Sequence, residues 1–197
     1  MASREEILAA LRAAAPPAEP LPSAPAGART RYGDPVARLA EAVQAVGGAL
    51  VRAPTPLDLA RETAELAARL GARQVVSEVP EAGAGTLRLA EVADPHDLAG
   101  VDLAVLPGAF AVAETGAVWV AAGQLRHRGV FVVAEHLALV VRAGAVVNDM
   151  HEAYARLRFG GPGFGVFIAG PSKTADIEQA LVIGAHGPRS CTVLVTG

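Results

Sequence analysis

The residues best able to do chemistry fall in three short segments. The first is Gly170-Pro171-Ser172-Lys173-Thr174-Ala175-Asp176-Ile177-Glu178, which follows an apolar run that reads as a buried strand. At a strand-to-helix turn, free backbone N–H groups, the Ser172 and Thr174 hydroxyls and the Lys173 ammonium suit an anion or a carboxylate. Lys173 is the single lysine beside sixteen arginines, so its compact ammonium stands out chemically. Asp176 and Glu178 could position the loop or act on a proton. A plainer reading is a capped turn with Ser172 or Thr174 as the N-cap. The segment is not a nucleotide-binding P-loop. Gly165 and Gly170 have the G-x-x-x-x-G spacing, but Pro171-Ser172 stands where the lysine and hydroxyl residue should follow.

The second segment is Ala113-Glu114-Thr115-Gly116, between apolar runs over 109–113 and 117–121. An acid at a strand end facing a cleft can serve as acid, base or nucleophile, and burial raises the pKa of such a carboxyl. A hairpin turn with a solvated glutamate explains the same residues. The third segment, Gly184-Ala185-His186-Gly187-Pro188, places His186 ten residues after Asp176. One loop–helix–loop unit could bring the two together, although a histidine in a glycine-rich turn also serves structure alone. His136, beside Glu135, reads as a strand-end residue, and His127, between two arginines, as a solvated loop. No His/Cys/Asp cluster has the spacing of a structural zinc site. No G-x-G-x-x-G dinucleotide fingerprint is present either. Cys191, the only cysteine, reads as inert core. It can form no intramolecular disulfide and supply no four-thiolate cluster site.

These segments need elements to hold them. Ser3 and Glu6 have capping-box spacing, and Ile7, Leu8 and Leu11 share a face, which predicts a helical arm within residues 1–14. Prolines 16, 17, 20, 22 and 25 mark residues 15–31 as an extended linker. The body is then 32–197. Asp34-Pro35 starts a helix that Gly47-Gly48 ends, a strand follows over 49–52, and Thr55-Pro56 starts a second helix that stops at Gly71. Strands are expected over 74–77, 103–106, 130–134, 137–142, 164–169 and 192–195. Helices are expected from Asn148 to Leu157 and from Ala175 onward. This alternation predicts one α/β domain with a mixed sheet.

Composition narrows the function. With 52% hydrophobic and 19% charged residues over 197 positions, the chain can bury a sizeable core. A net charge of −3 and 4% aromatics leave neither a basic footprint nor stacking platforms, which argues against nucleic acid. No uncharged apolar run approaches the ~20 residues of a membrane helix, and the acidic start lacks a signal-peptide pattern. A cytoplasmic protein is expected.

Taken together, Glu114-Thr115-Gly116, the 170–178 segment and His186-Gly187-Pro188, with the Ser-Arg-Glu-Glu-Ile-Leu arm at 3–8, resemble the LUD-domain family of lactate-utilisation proteins. Ala117 departs from the hydroxyl-bearing residue expected after E-T-G. The resemblance implies a fold like that of the sugar-phosphate isomerases and CoA-transferases. It also implies an accessory, non-redox subunit of an L-lactate-to-pyruvate system, holding no cofactor itself and working beside a cysteine-rich and an iron–sulfur subunit. On this reading Glu114 and Asp176 are the candidate catalytic residues. Thr115, Gly116, Gly170, Ser172, Lys173, Thr174 and His186 are the candidate ligand contacts, the ligand being a small carboxylate or other anion, and no residue binds metal. Self-association stays open. The alternative is a free-standing isomerase- or CoA-transferase-like enzyme for a small anionic substrate, with Glu114 as base or nucleophile.

Overall fold

A computed structural model describes residues 3–16, 19, 29–158, 163–175 and 181–197, and the statements below concern these. In chain order the elements are α1 (Arg4–Ala13), α2 (Pro35–Ala45), β1 (Ala49–Arg52), α3 (Pro56–Leu70), β2 (Val75–Ser77), β3 (Leu103–Pro107), β4 (Phe110–Val112), β5 (Ala117–Ala121), α4 (Val130–Val133), β6 (His136–Arg142), β7 (Val146–Val147), α5 (Met150–Arg156), β8 (Gly165–Ile168), β9 (Lys173–Ala175), β10 (Leu181–Ile183) and β11 (Ser190–Thr196). The fold is mixed α/β with a central parallel sheet.

That sheet has the order β1-β11-β6-β3-β2, and every pairing in it is parallel. β3, β6 and β11 read as continuous apolar runs because both of their faces are covered. Successive residues divide between the faces as a strand's period of two requires. Leu103, Val105, Ala138, Val140 and Leu194 pack with Leu59 and Leu66 of α3. Ala104, Leu106, Leu137, Leu139, Val141 and Val193 pack with Leu39 and Val43 of α2, with Val130 and Phe131 of α4, and with Ala111 and Val118 of a second sheet. The second sheet has the order β7-β4-β5-β8. Its outer face carries Phe110, Trp119 and Phe167, under α5.

The helix boundaries have local causes. Asp34 accepts from the N–H groups of Val36 and Ala37, both at 3.0 Å, with Pro35 at the first helical position. Thr55 and Asp58 form a reciprocal capping box on α3, which ends at Gly71 with φ +65°. Ser3 and Glu6 do the same for α1, yet no residue of α1 is buried.

Three expectations change. The run after Gly129 is a short helix rather than a strand. Packing Val130 and Phe131 under the parallel sheet overrides the strand preference of a β-branched run. Asp149, not Asn148, caps α5: its carboxylate accepts from Glu152 N at 2.8 Å, while Asn148 is engaged by Tyr32 N and the Glu152 carboxylate. Ala175 lies in a strand rather than opening a helix, because 173–175 pair antiparallel with 181–183.

Candidate functional site

Two regions are candidates, at opposite ends of the parallel sheet. The first gathers the sequence motifs. β4 and β8 both run antiparallel to β5, with Val112 opposite Ala117 and Ile168 opposite Val118. Their carboxyl ends therefore lie at the same edge of the second sheet. The Glu114 turn leaves one of them and the Gly170 segment leaves the other. Both press on the last turns of α2. Gly116, at φ +73°, sits so close that a Cβ would lie 2.8 Å from the Ala42 backbone carbon. Gly170, at φ +71°, would place one 2.4 Å from the Val46 carbonyl oxygen. Neither position has room for a side chain, and both adopt a conformation glycine adopts freely.

The polar groups of this edge are largely engaged. The exposed Glu114 carboxylate accepts from the N–H of Met150 at 3.1 Å, the first residue of α5. Thr115 Oγ1 accepts a long bond from Ala117 N at 3.4 Å. The Lys173 ammonium donates to the Val46 carbonyl at the end of α2, where a cation is favourable; two of its three donors remain. Ser172 donates its N–H to Pro188 O at 2.8 Å and accepts from Gly184 N at 2.9 Å, so the G-P-S and H-G-P motifs are stitched together by backbone. The Ser172 N–H is thus not free for an anion, and an anion here would meet side chains. Thr174 is half-buried in β9, and His186 is exposed in the turn after β10. Asp176 lies outside the described residues. The strand-to-helix cradle expected from the sequence is instead a β-strand docked on a neighbouring turn.

Next to this edge, His136 Nδ1 lies 2.7 Å from Ser190 Oγ across adjacent strands, and Arg189 pairs with Glu135 at 2.7 Å. Cys191 is buried against the Gly170 backbone, and burial pushes its thiol up to about 12, which makes it a poor nucleophile. Among the described residues no group of His, Cys, Asp and Glu is arranged to hold a metal ion.

The second region was not singled out from the sequence. A cleft of about 480 Å³ opens at the carboxyl ends of β1, β3, β6 and β11. After β1 the chain turns onto one face as α3, whereas after β3 and β6 it enters the second sheet on the other face. Diverging loops leave a crevice at such a place, and ligands of open α/β sheets bind there. The α3 start contributes Thr55, Pro56 and Leu59, and the segment after β2 contributes Val79 and Glu81. The strand ends contribute Pro107, Val140, Arg142 and Thr196. The legible signals were an N-cap directly after a strand, Pro-Gly after β3 and an arginine ending an apolar strand. A larger hollow of about 640 Å³ lies beneath 77–90, but its arginine, Arg88, is paired with Glu91 at 3.2 Å.

Comparison with known proteins adds family information. The family model described as "LUD domain" matches residues 95–196. Two curated relatives are both called "Lactate utilization protein C". The one from Halalkalibacterium halodurans is 31% identical over 115 residues, covering 55% of this chain and 48% of the relative. The one from Shouchella clausii is 30% identical over 100 residues, covering 48% and 44%. The chain thus aligns with about half the length of either relative. A crystal structure of a DUF162 family protein from Deinococcus radiodurans superposes with a TM-score of 0.63 at 18% identity, covering 85% of this chain and 99% of that one. That likeness speaks to the fold.

Proposed function

The chain belongs to the LUD-domain family, and we propose that it is an accessory, non-redox subunit of a system oxidising L-lactate to pyruvate in the cytoplasm. The observation that carries this reading is the similarity to two relatives named for lactate utilisation. The oxidation releases two electrons, which need an acceptor. A chain with one cysteine, buried and with its thiol held protonated, is unsuited to bind an iron–sulfur cluster, which takes about four thiolates. We therefore assign the redox centres to iron–sulfur and cysteine-rich partners, and to this chain the task of organising them. The finer fold likeness, to sugar-phosphate isomerases and CoA-transferases, is part of the same proposal.

The motif edge is the face we assign to the partners. Glu114, Lys173 and His186 are exposed there, and none of them lines either cleft. Lys173 keeps two donors for a carboxylate, Ser172 and Thr174 add hydroxyls, and Thr115, Gly116 and Gly170 fix the turns that present them. Among the described residues no helix is long and apolar enough to cross a membrane. Deleting the gene should abolish growth on L-lactate and spare growth on glucose, with recovery by the wild-type gene. Undiminished growth on L-lactate would overturn the proposal.

A further inference from the structure

We infer that the cleft at the carboxyl ends of the parallel strands is the seat of the chain's own N-terminal helix, α1, which closes on it as a strap. The inference stands apart from the accessory-subunit reading, because it concerns only how two parts of this chain meet.

The helix has an apolar face in need of a seat. Its capping box is satisfied between Ser3 and Glu6, so its start is encoded without help from the body. Yet a helix of 10 residues is marginal alone in water, and packing of the apolar face supplies most helical stability. Ile7, Leu8 and Leu11 form that face. No residue of α1 is buried, and Ile7 and Leu11 are 52% and 62% exposed. Glu5 and Arg12 border the same stripe, as the i−3 and i+4 neighbours of Leu8. They set opposite charges roughly 10 Å apart along the axis, and neither side chain is paired among the described residues.

The cleft has the complementary features. Pro54, Pro56, Leu59, Val79 and Val140 give it an apolar lining, and Arg142 and Glu81 line it without an ion pair or side-chain hydrogen bond among the described residues. An apolar hollow with charges of both signs suits an amphipathic helix laid in a groove. The signs set the direction, with the Glu5 end toward Arg142 and the Arg12 end toward Glu81.

The tether brings the two together. Asp34, at the start of the body, lies 3.8 Å from Arg52, the last residue of β1. The cleft lining begins two residues later, at Pro54, so the chain enters the body at the cleft end of the sheet. Residues 14–33 separate α1 from Asp34. A coil of that length spans roughly 25 Å, whereas β1 and β3, three strands apart in the sheet order, are separated by roughly 15 Å. Such a tether holds the helix at an effective concentration on the order of millimolar, which favours its own body over a second copy. Val132 and Val133, exposed on α4, are a rival seat, but they lead into the start of β6, at the end of the sheet away from the tether.

Hydrogen exchange of the full chain, read by mass spectrometry, is the first test. The α1 amides should exchange roughly tenfold or more slowly than the same amides in a synthetic peptide of residues 1–16. Leu11→Asp should abolish that protection. Arg142→Glu should weaken it, and adding Glu5→Arg should restore part of it, with Trp119 fluorescence checking that each variant is folded. Trapping is the second test. Arg12→Cys with Glu81→Cys should form a disulfide within one chain at a rate independent of protein concentration, since native Cys191 is buried. Adding Ile7→Asp and Leu11→Asp to that chain should slow the reaction roughly tenfold. Peptide-like exchange of α1 in the wild type, a trapping rate unchanged by loss of the stripe, or a disulfide-linked dimer as the main product would each overturn the strap.

Discussion

At the scale of single residues, the two glycines pressed on α2 are where sequence and structure are most tightly bound together. A methyl at Gly116 or Gly170 would meet backbone atoms at 2.8 and 2.4 Å, in a conformation with positive φ. Gly116→Ala and Gly170→Ala should each cost about 1–3 kcal/mol in urea unfolding. Substitution at the exposed Gly144, with open space around its Cβ position, should cost far less. Glu114 makes a different point. Its carboxylate serves the Met150 N–H, so Glu114→Ala should lower stability by only about 0.5–1 kcal/mol, a single surface hydrogen bond. Glu114→Gln keeps an acceptor oxygen and should be closer to neutral. If Glu114→Gln instead abolished lactate-dependent growth at an unchanged melting temperature, the residue would be acting on a substrate or partner. The residue types were legible at this scale. That Lys173 points at a helix end and Ser172 at a neighbouring turn was not, because these partners lie 127 residues before and 16 residues after them.

Elements were legible wherever a local signal marked their ends. Asp34-Pro35, Thr55-Pro56, Gly71 and the Ser3/Glu6 box each act within a few residues, and α1, α2 and α3 fall where these place them. The Glu114 turn likewise lies between two apolar strands, β4 and β5. Local signals do not mark elements whose state tertiary contacts decide. Val130–Val133 is helical because it packs beneath the sheet, and Lys173–Ala175 is a strand because β10 pairs with it. The carboxyl-end cleft went unseen since four strands far apart in sequence build it. Carboxylates held by backbone N–H groups give the fold a pH dependence. Asp102, just before β3, accepts from the N–H groups of Gln74 and Arg73 at 2.8 and 2.6 Å, and these bonds hold its carboxyl below the ordinary range. Asn148 N–H does the same for Glu152 at 2.9 Å. A depressed carboxyl binds its proton less readily when folded. Its stabilisation is therefore present above the unfolded pKa, about 4, and is lost as pH falls through the lower folded value. Acid unfolding followed by Trp119 fluorescence should begin below about pH 4, and Asp102→Asn should flatten that slope. An unchanged acid limb would show that the pairing of Asp102 contributes nothing.

Considered as a whole, the molecule is a covered parallel sheet with an amphipathic helix on an extension. α1 carries Ile7 and Leu11 at 52% and 62% exposure, so its removal should leave the body intact. A chain beginning at Arg31 should melt cooperatively, within a few degrees of full length; failure to fold would make the arm part of the core. Native Cys191, buried with its thiol raised to about 12, should resist iodoacetamide at pH 8 and react only after unfolding. The most direct test of the lactate role is reconstitution. The purified chain is combined with iron–sulfur and cysteine-rich proteins of the kind we propose as its partners, and L-lactate-dependent reduction of an artificial electron acceptor is followed anaerobically. The rate should rise with added chain to a stoichiometric plateau, while the chain alone should carry no iron and give no reduction. Full activity of the partners without it, or lactate oxidation by the chain alone, would contradict its assignment as a non-redox organiser of the system.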